Sequence, residues 1–191
     1  MPIVIGDALG SDFNNPLGLL ADCHRRIENF LKVLHTVTRQ ACGRHLTDEH
    51  RHALEASLRY FRDAAPKHTA DEENSVFPRL LSRASPHLAA FSAILGSLKV
   101  EHRMINDHHD QVEEVGRLWL VNNLLSTGEL SRLNASLNDL RVIYSRHIAI
   151  EEQKVFPLAA QMLDRGDLKS IASEMAQRRN LTIKHNFVVP S

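Results

Sequence analysis

A histidine, a glutamate four residues later, and then Val-Phe-Pro occur twice in this chain. The first copy is His68-Thr-Ala-Asp-Glu72-Glu73-Asn-Ser-Val76-Phe77-Pro78; the second, 79 positions on, is His147-Ile-Ala-Ile-Glu151-Glu152-Gln-Lys-Val155-Phe156-Pro157. Residues i and i+4 share a helix face, so each copy sets a neutral nitrogen donor and an anionic oxygen donor one turn apart. Such a pair is a chelate, and two of them on one chain imply a centre that holds two metal ions. Two further histidines, His24 and His102, stand 78 positions apart and would complete a set of four nitrogens and two carboxylates.

The elements that must carry these donors are helices. Apolar residues recur at alternating steps of three and four, and period-two alternation is nowhere sustained. One stripe runs Leu17, Leu20, His24, Ile27, Leu31, Leu34 and another runs Leu95, Leu98, His102, Ile105, His109, Val112. The chelates end two more: Leu54, Leu58, Phe61, Ala65, His68, Glu72, Val76 and Leu133, Leu137, Leu140, Tyr144, His147, Glu151, Val155. Each stripe is a bundle seam. Asn15-Pro16 reads as the cap and first turn of a first helix, Gly43 as its stop, and Thr47-Asp-Glu as the start of a second. Ser85-Pro86 opens a third, Thr127-Gly128 closes it, and Gly166 ends a fourth. Pro66, Pro78 and Pro157 should kink the helices that bear the chelates.

The two halves are helix pairs in tandem. One pair cannot cover its own apolar face, so the economical fold is an all-α, up-down-up-down four-helix bundle. Residues 1–165 form this domain; 166–191 supply a short helix ending near Asn180 and a tail. His24 precedes Gly43, and His68 follows Thr47, by a similar number of residues, which puts both about 30 Å from the connecting turn. The other donors fall at nearly the same level. Burying an uncompensated carboxylate costs several kcal/mol, and a dication between the carboxylates removes that cost. We therefore expect His24, His68, His102 and His147 as terminal metal ligands and Glu72 and Glu151 as bridges.

The other candidates rank lower. Glu73 and Glu152, one position off the seam, are either solvated or hydrogen-bond acceptors behind ligand imidazoles. Tyr144 is a possible donor in the same role. His109 is about 10 Å along the axis from His102, too far for the same metal, and belongs to the core or an access path. His35, His45, His50, His52, His87, His108 and His185 are expected at the surface. Imidazole mixed with carboxylate suits iron, manganese or zinc rather than calcium or copper(I). Four protein donors per metal, with room for an oxo or hydroxo bridge, favour two iron ions over manganese or zinc.

The order His24, His68-x-x-x-Glu72, His102, His147-x-x-x-Glu151, with Val-Phe-Pro after each chelate, resembles the bacterial hemerythrin-like (HHE cation-binding) domains over roughly residues 14 to 165. The resemblance implies a non-haem di-iron centre inside a four-helix bundle, reached by oxygen, nitric oxide or peroxide. It also implies a role in sensing, storing or handling iron, oxygen or nitric oxide. The alternative is a di-iron enzyme that reduces nitric oxide or peroxide or repairs damaged iron centres. Reversible oxygen carriers of this type are similar but place a fifth histidine where this chain has Asn106, and an aspartate where it has Glu152. The symmetric four-histidine, two-glutamate set looks more like domains linked to nitrosative stress, iron-centre repair and iron sensing. By the same repeat, Glu28 answers to Asn106 and could add a carboxylate near the centre.

Bulk properties set the class. With 191 residues, 43% apolar and 24% charged, the chain suits a single soluble domain with a sizeable core. Lys plus Arg and Asp plus Glu both total 23, so no electrostatic footprint invites nucleic acid or an anionic membrane. No apolar run approaches the roughly 20 residues that span a bilayer, and Met1–Asp7 lacks the features of a secretory signal; we expect a cytoplasmic protein. Cys23 and Cys42, on one helix, are too far apart for a disulfide.

Overall fold

The computed structural model describes residues 12–83 and 89–181. All its regular elements are helical. Helix α1 (Pro16–Gln40) starts where Asn15 Oδ1 accepts from Gly18 N at 3.0 Å and Pro16 presets the first turn; it stops before Gly43, whose φ of +64° is left-handed. Helix α2 (Asp48–Asp63) is capped reciprocally by Thr47 and His50: Thr47 Oγ1 accepts from His50 N, and His50 Nδ1 accepts from Thr47 N. The second rod then continues as α3 (Ala65–Asp71), a π-helical turn (Glu72–Val76) and α4 (Phe77–Ser82).

The breaks have local causes. Pro66 has no N–H to give, so the ladder restarts at Ala64, whose carbonyl accepts from Lys67 N and His68 N. In the π turn Phe77 N reaches back five residues to Glu72 O, just before Pro78. The extra residue lets Val76 and Phe77 both turn inward, fully buried.

Helix α5 (Ala89–Asn122) ends one residue before Asn123, which takes φ +60°. Thr127-Gly128 does not close this helix. It opens α6 (Thr127–Ile150), because Ser126 and Glu129 form a capping box around it. The fourth rod repeats the second, with a π turn (Glu151–Val155), a backbone bond from Phe156 N to Glu151 O, and α7 (Phe156–Met162). Gly166, expected as a stop, lies in the first turn of α8 (Arg165–Arg178), capped by Asp164 and Asp167. Ser85-Pro86, His87, His185 and the tail lie outside the described residues.

The rods close a ring, α1 on α2, α2 on α5, α5 on α6 and α6 on α1, the up-down-up-down bundle expected from the repeat. Gly116 lets α5 approach α2: a Cβ there would lie 2.8 Å from a methyl of Leu58. Helix α8 packs across α1, α3 and the first π turn. The core is in two parts. One gathers Ile27, Leu34, Leu58, Phe61, Trp119 and Leu137; the other gathers Leu20, Val76, Phe77, Leu98, Val155 and Phe156. The six donors lie in the layer between them.

Candidate metal centre

All six expected donors are at most 4% exposed, and the structure brings them together. His24, His68, Glu72 and Glu151 form one group, and Glu72, His102, His147 and Glu151 a second, with the ligand atoms in each within 4.8 Å of one another. Both carboxylates belong to both groups. Glu151 faces His24 Nε2 at 3.1 Å with one oxygen and His147 Nε2 at 3.3 Å with the other. Glu72 does the same for His68 Nε2 at 3.2 Å and His102 Nε2 at 3.3 Å.

Behind the imidazoles stand further carboxylates. His102 Nδ1 lies 2.7 Å from Glu73, His24 Nδ1 3.0 Å from Glu152, and His147 Nδ1 3.0 Å from Glu101. A carboxylate can only accept, so each of these Nδ1 atoms carries a proton and each Nε2 is the atom left facing the interior. The support is crossed. Glu73 follows the shared glutamate of the first half yet serves a histidine of the second, and Glu152 does the reverse. Phe77 and Phe156 cross likewise, stacking on His102 and His24 with ring centroids 6.4 and 5.4 Å apart. This explains why Val-Phe-Pro is duplicated with the chelate.

The geometry fits cations. His102 Nε2 and His147 Nε2 face each other at 3.0 Å, a contact that needs a proton on one of them or a cation shared by both. Two nitrogens at about 2.1 Å from one metal, set at right angles, would lie about 3.0 Å apart. All four oxygens of Glu72 and Glu151, with His24 Nε2, are buried and lack a properly aligned hydrogen bond. Orphaned buried acceptors of this kind cost several kcal/mol apiece unless a cation or a proton satisfies them.

Without metal, protons take that role. Burial alone would push His24 down, but the adjacent Glu151 and Glu72 outweigh it and raise the group to about 10. His102 rises to about 9 against the same burial, through Glu72 and Glu73. Burial wins at His68, which falls. Glu72 is held well below the usual carboxylate range, burial being overcome by His68, His102 and His24. The cluster thus holds positive charge in either form.

Other expectations shift. Tyr144 does not back a ligand; its hydroxyl donates to His109 Nε2 at 2.9 Å, and His109, pushed down by burial to about 3, stays neutral to accept. Glu28 is exposed, paired with Arg25 at 3.2 Å, and stands outside the donor groups. His50 is buried as a capping residue rather than exposed, and His35 and His108 are half-buried. Cys23 and Cys42 are free, as their separation requires; burial pushes the half-buried Cys23 thiol up to about 11.

Sequence reasoning missed Glu101, which is off the seam and reads as a solvated charge. Its only signal was its place beside His102. Asp71 was missed too. It is fully buried beside Glu72, held by Arg178 Nη1 at 2.8 Å and Arg179 Nη2 at 2.6 Å, so the end of α8 is latched to the end of α3, just before the first π turn. No described helix is long and apolar enough to cross a membrane.

Two comparisons bear on this arrangement. The family profile described as hemerythrin HHE cation binding domain matches residues 15–159. A Haemophilus influenzae protein described as uncharacterized is 25% identical over 170 residues, covering 88% of this chain and 92% of that protein.

Proposed function

The chain belongs to the hemerythrin HHE cation-binding family, and from that premise we propose that it is a non-haem di-iron protein that senses, stores or handles iron, oxygen or nitric oxide. The observation that carries this reading is that Glu72 and Glu151 each face both donor groups, the arrangement that two cations sharing two bridges require. His24 and His68 would hold one iron, His102 and His147 the other. When bound, a di-iron centre supplies reversible electron transfer and open positions for a small ligand.

The protein's own residues do the rest. Glu73, Glu101 and Glu152 fix the tautomers and orient the rings. Phe77, Phe156 and the two apolar cores wall the layer off, an enclosure that favours small ligands such as oxygen, nitric oxide or peroxide. Manganese or zinc would suit the donors less well, because mixed imidazole and carboxylate donors that leave positions open favour six-coordinate iron. An intracellular setting accords with iron kept reduced and with free thiols.

Elemental analysis of protein produced in iron-replete medium tests the reading. Two irons per chain are expected; none, or a stoichiometric zinc, overturns it. Exposure of the reduced, anaerobic protein to oxygen then separates binding from catalysis. A spectral change reversed by removing oxygen supports a sensor or store. Irreversible oxidation with turnover of nitric oxide or peroxide supports the enzyme.

A further inference from the structure

The internal repeat makes the donor cluster nearly two-fold, and it fails at one place. Offsets of 78 and 79 relate His24 to His102, His68 to His147, and Glu73 to Glu152. The carboxylates behind His24 and His102 obey this relation. Behind His147 stands Glu101, itself steadied by Arg146 at 3.1 Å. Moving back 78 positions from Glu101 lands on Cys23. The imidazole that should profit is His68, and its buried Nδ1 has no hydrogen-bond partner among the described residues. Three of the four imidazoles are braced by a carboxylate and one is not.

We infer that the two cation positions are unequal: the one formed by His102 and His147 binds a divalent metal tightly, and the one formed by His24 and His68 is exchangeable. This rests on the cation-binding reading of the cluster. A carboxylate on the far nitrogen locks the tautomer, aims the ring and strengthens the donor, and losing it costs about 10–100-fold in metal affinity. His68 has none of these aids. Its ring can carry the proton on either nitrogen, and one of the two tautomers turns a proton rather than a lone pair toward Glu72. Charge acts in the same direction, because Glu73 and Glu101 both face the second position while only Glu152 faces the first. The metal given up first would therefore come from the side on which α8 is latched beside Glu72.

Anaerobic titration of the metal-free full-length protein with Co²⁺, followed by its visible absorption, reads both positions. The first equivalent should bind at least about 10-fold more tightly than the second, and dialysis against a weak chelator should leave one metal per chain. Glu101→Gln should weaken the first step and bring the two together. Cys23→Glu should tighten the second step and also bring them together, whereas Cys23→Ala should match the parent, since the thiol is not a ligand. Circular dichroism checks the fold of each variant. Two indistinguishable steps in the parent, or a separation that survives Glu101→Gln, would overturn the inference while leaving a two-metal centre intact. Failure of the parent to take up any metal would sink the underlying reading as well.

Discussion

Glu151→Ala is the sharpest perturbation of the centre, because this residue gives one oxygen to each donor group, at 3.1 Å from His24 Nε2 and 3.3 Å from His147 Nε2. Each cation would lose one donor in four and half of its bridging charge. A four-donor structural site is worth about 10–16 kcal/mol, so one donor accounts for roughly 3 kcal/mol, or on the order of 100-fold in affinity, at both positions. His68→Ala takes a donor from one position only. After anaerobic loading with Fe²⁺ and desalting, we expect Glu151→Ala to keep well under one iron per chain and His68→Ala to keep about one. Circular dichroism separates metal loss from unfolding, since removing Glu151 also breaks its buried pairs with His24 and His147 and costs stability. Two irons retained by Glu151→Ala would refute the shared-bridge geometry, and complete loss from His68→Ala would refute the division of donors between positions.

Other outcomes follow from the same structure. His24 and His102 titrate at about 10 and about 9 in the metal-free fold, above the ordinary 6.5, so their contribution to metal-free stability is complete below pH 6.5 and fades as pH rises through about 9 to 10. Metal competes with the same protons, so its binding should strengthen across that window; melting curves of the metal-free and loaded protein should diverge as pH rises, and parallel curves would contradict this. Asp71→Ala strands two guanidiniums that are 23% exposed and can partly rehydrate, which sets the expected loss at about 3 kcal/mol, the low end for breaking a buried pair. Urea unfolding would measure it, and limited proteolysis should cut α8 first. Gly116→Ala brings a Cβ to 2.8 and 2.9 Å from the two methyls of buried Leu58 and should cost about 2 kcal/mol in the same assay, within the range for overpacking, because the whole side chain must shift.

The repeat in the sequence was enough to foretell four rods and six donors in one layer, because core periodicity and chelate spacing are both local and both survive packing. What escaped were local caps hidden by glycines and features decided by partners distant in sequence. Thr127-Gly128 looks like a helix end, but Ser126 and Glu129 reach around it and make it a start; Asp164 and Asp167 do the same at Gly166. Prolines announced trouble near the chelates without saying that the ladder would answer with a π turn. Glu101 and Asp71 are charged residues next to ligands, and only their partners, His147 on another helix and Arg178 and Arg179 at the end of α8, show that they are buried. Tyr144 sits on the seam as expected, yet its hydroxyl found His109 because that imidazole, kept neutral by burial, offered an acceptor at 2.9 Å.

The exchanged placement of Glu73 and Glu152 has a consequence for how such a molecule can be divided or rebuilt. A hairpin cut from either half would retain its own nitrogen and oxygen pair but leave behind the glutamate that aims one of its own rings. Two separated hairpins could regain full strength only by re-pairing. The duplicated arms therefore form a mutual clasp, in which damage to one arm loosens the grip of the other.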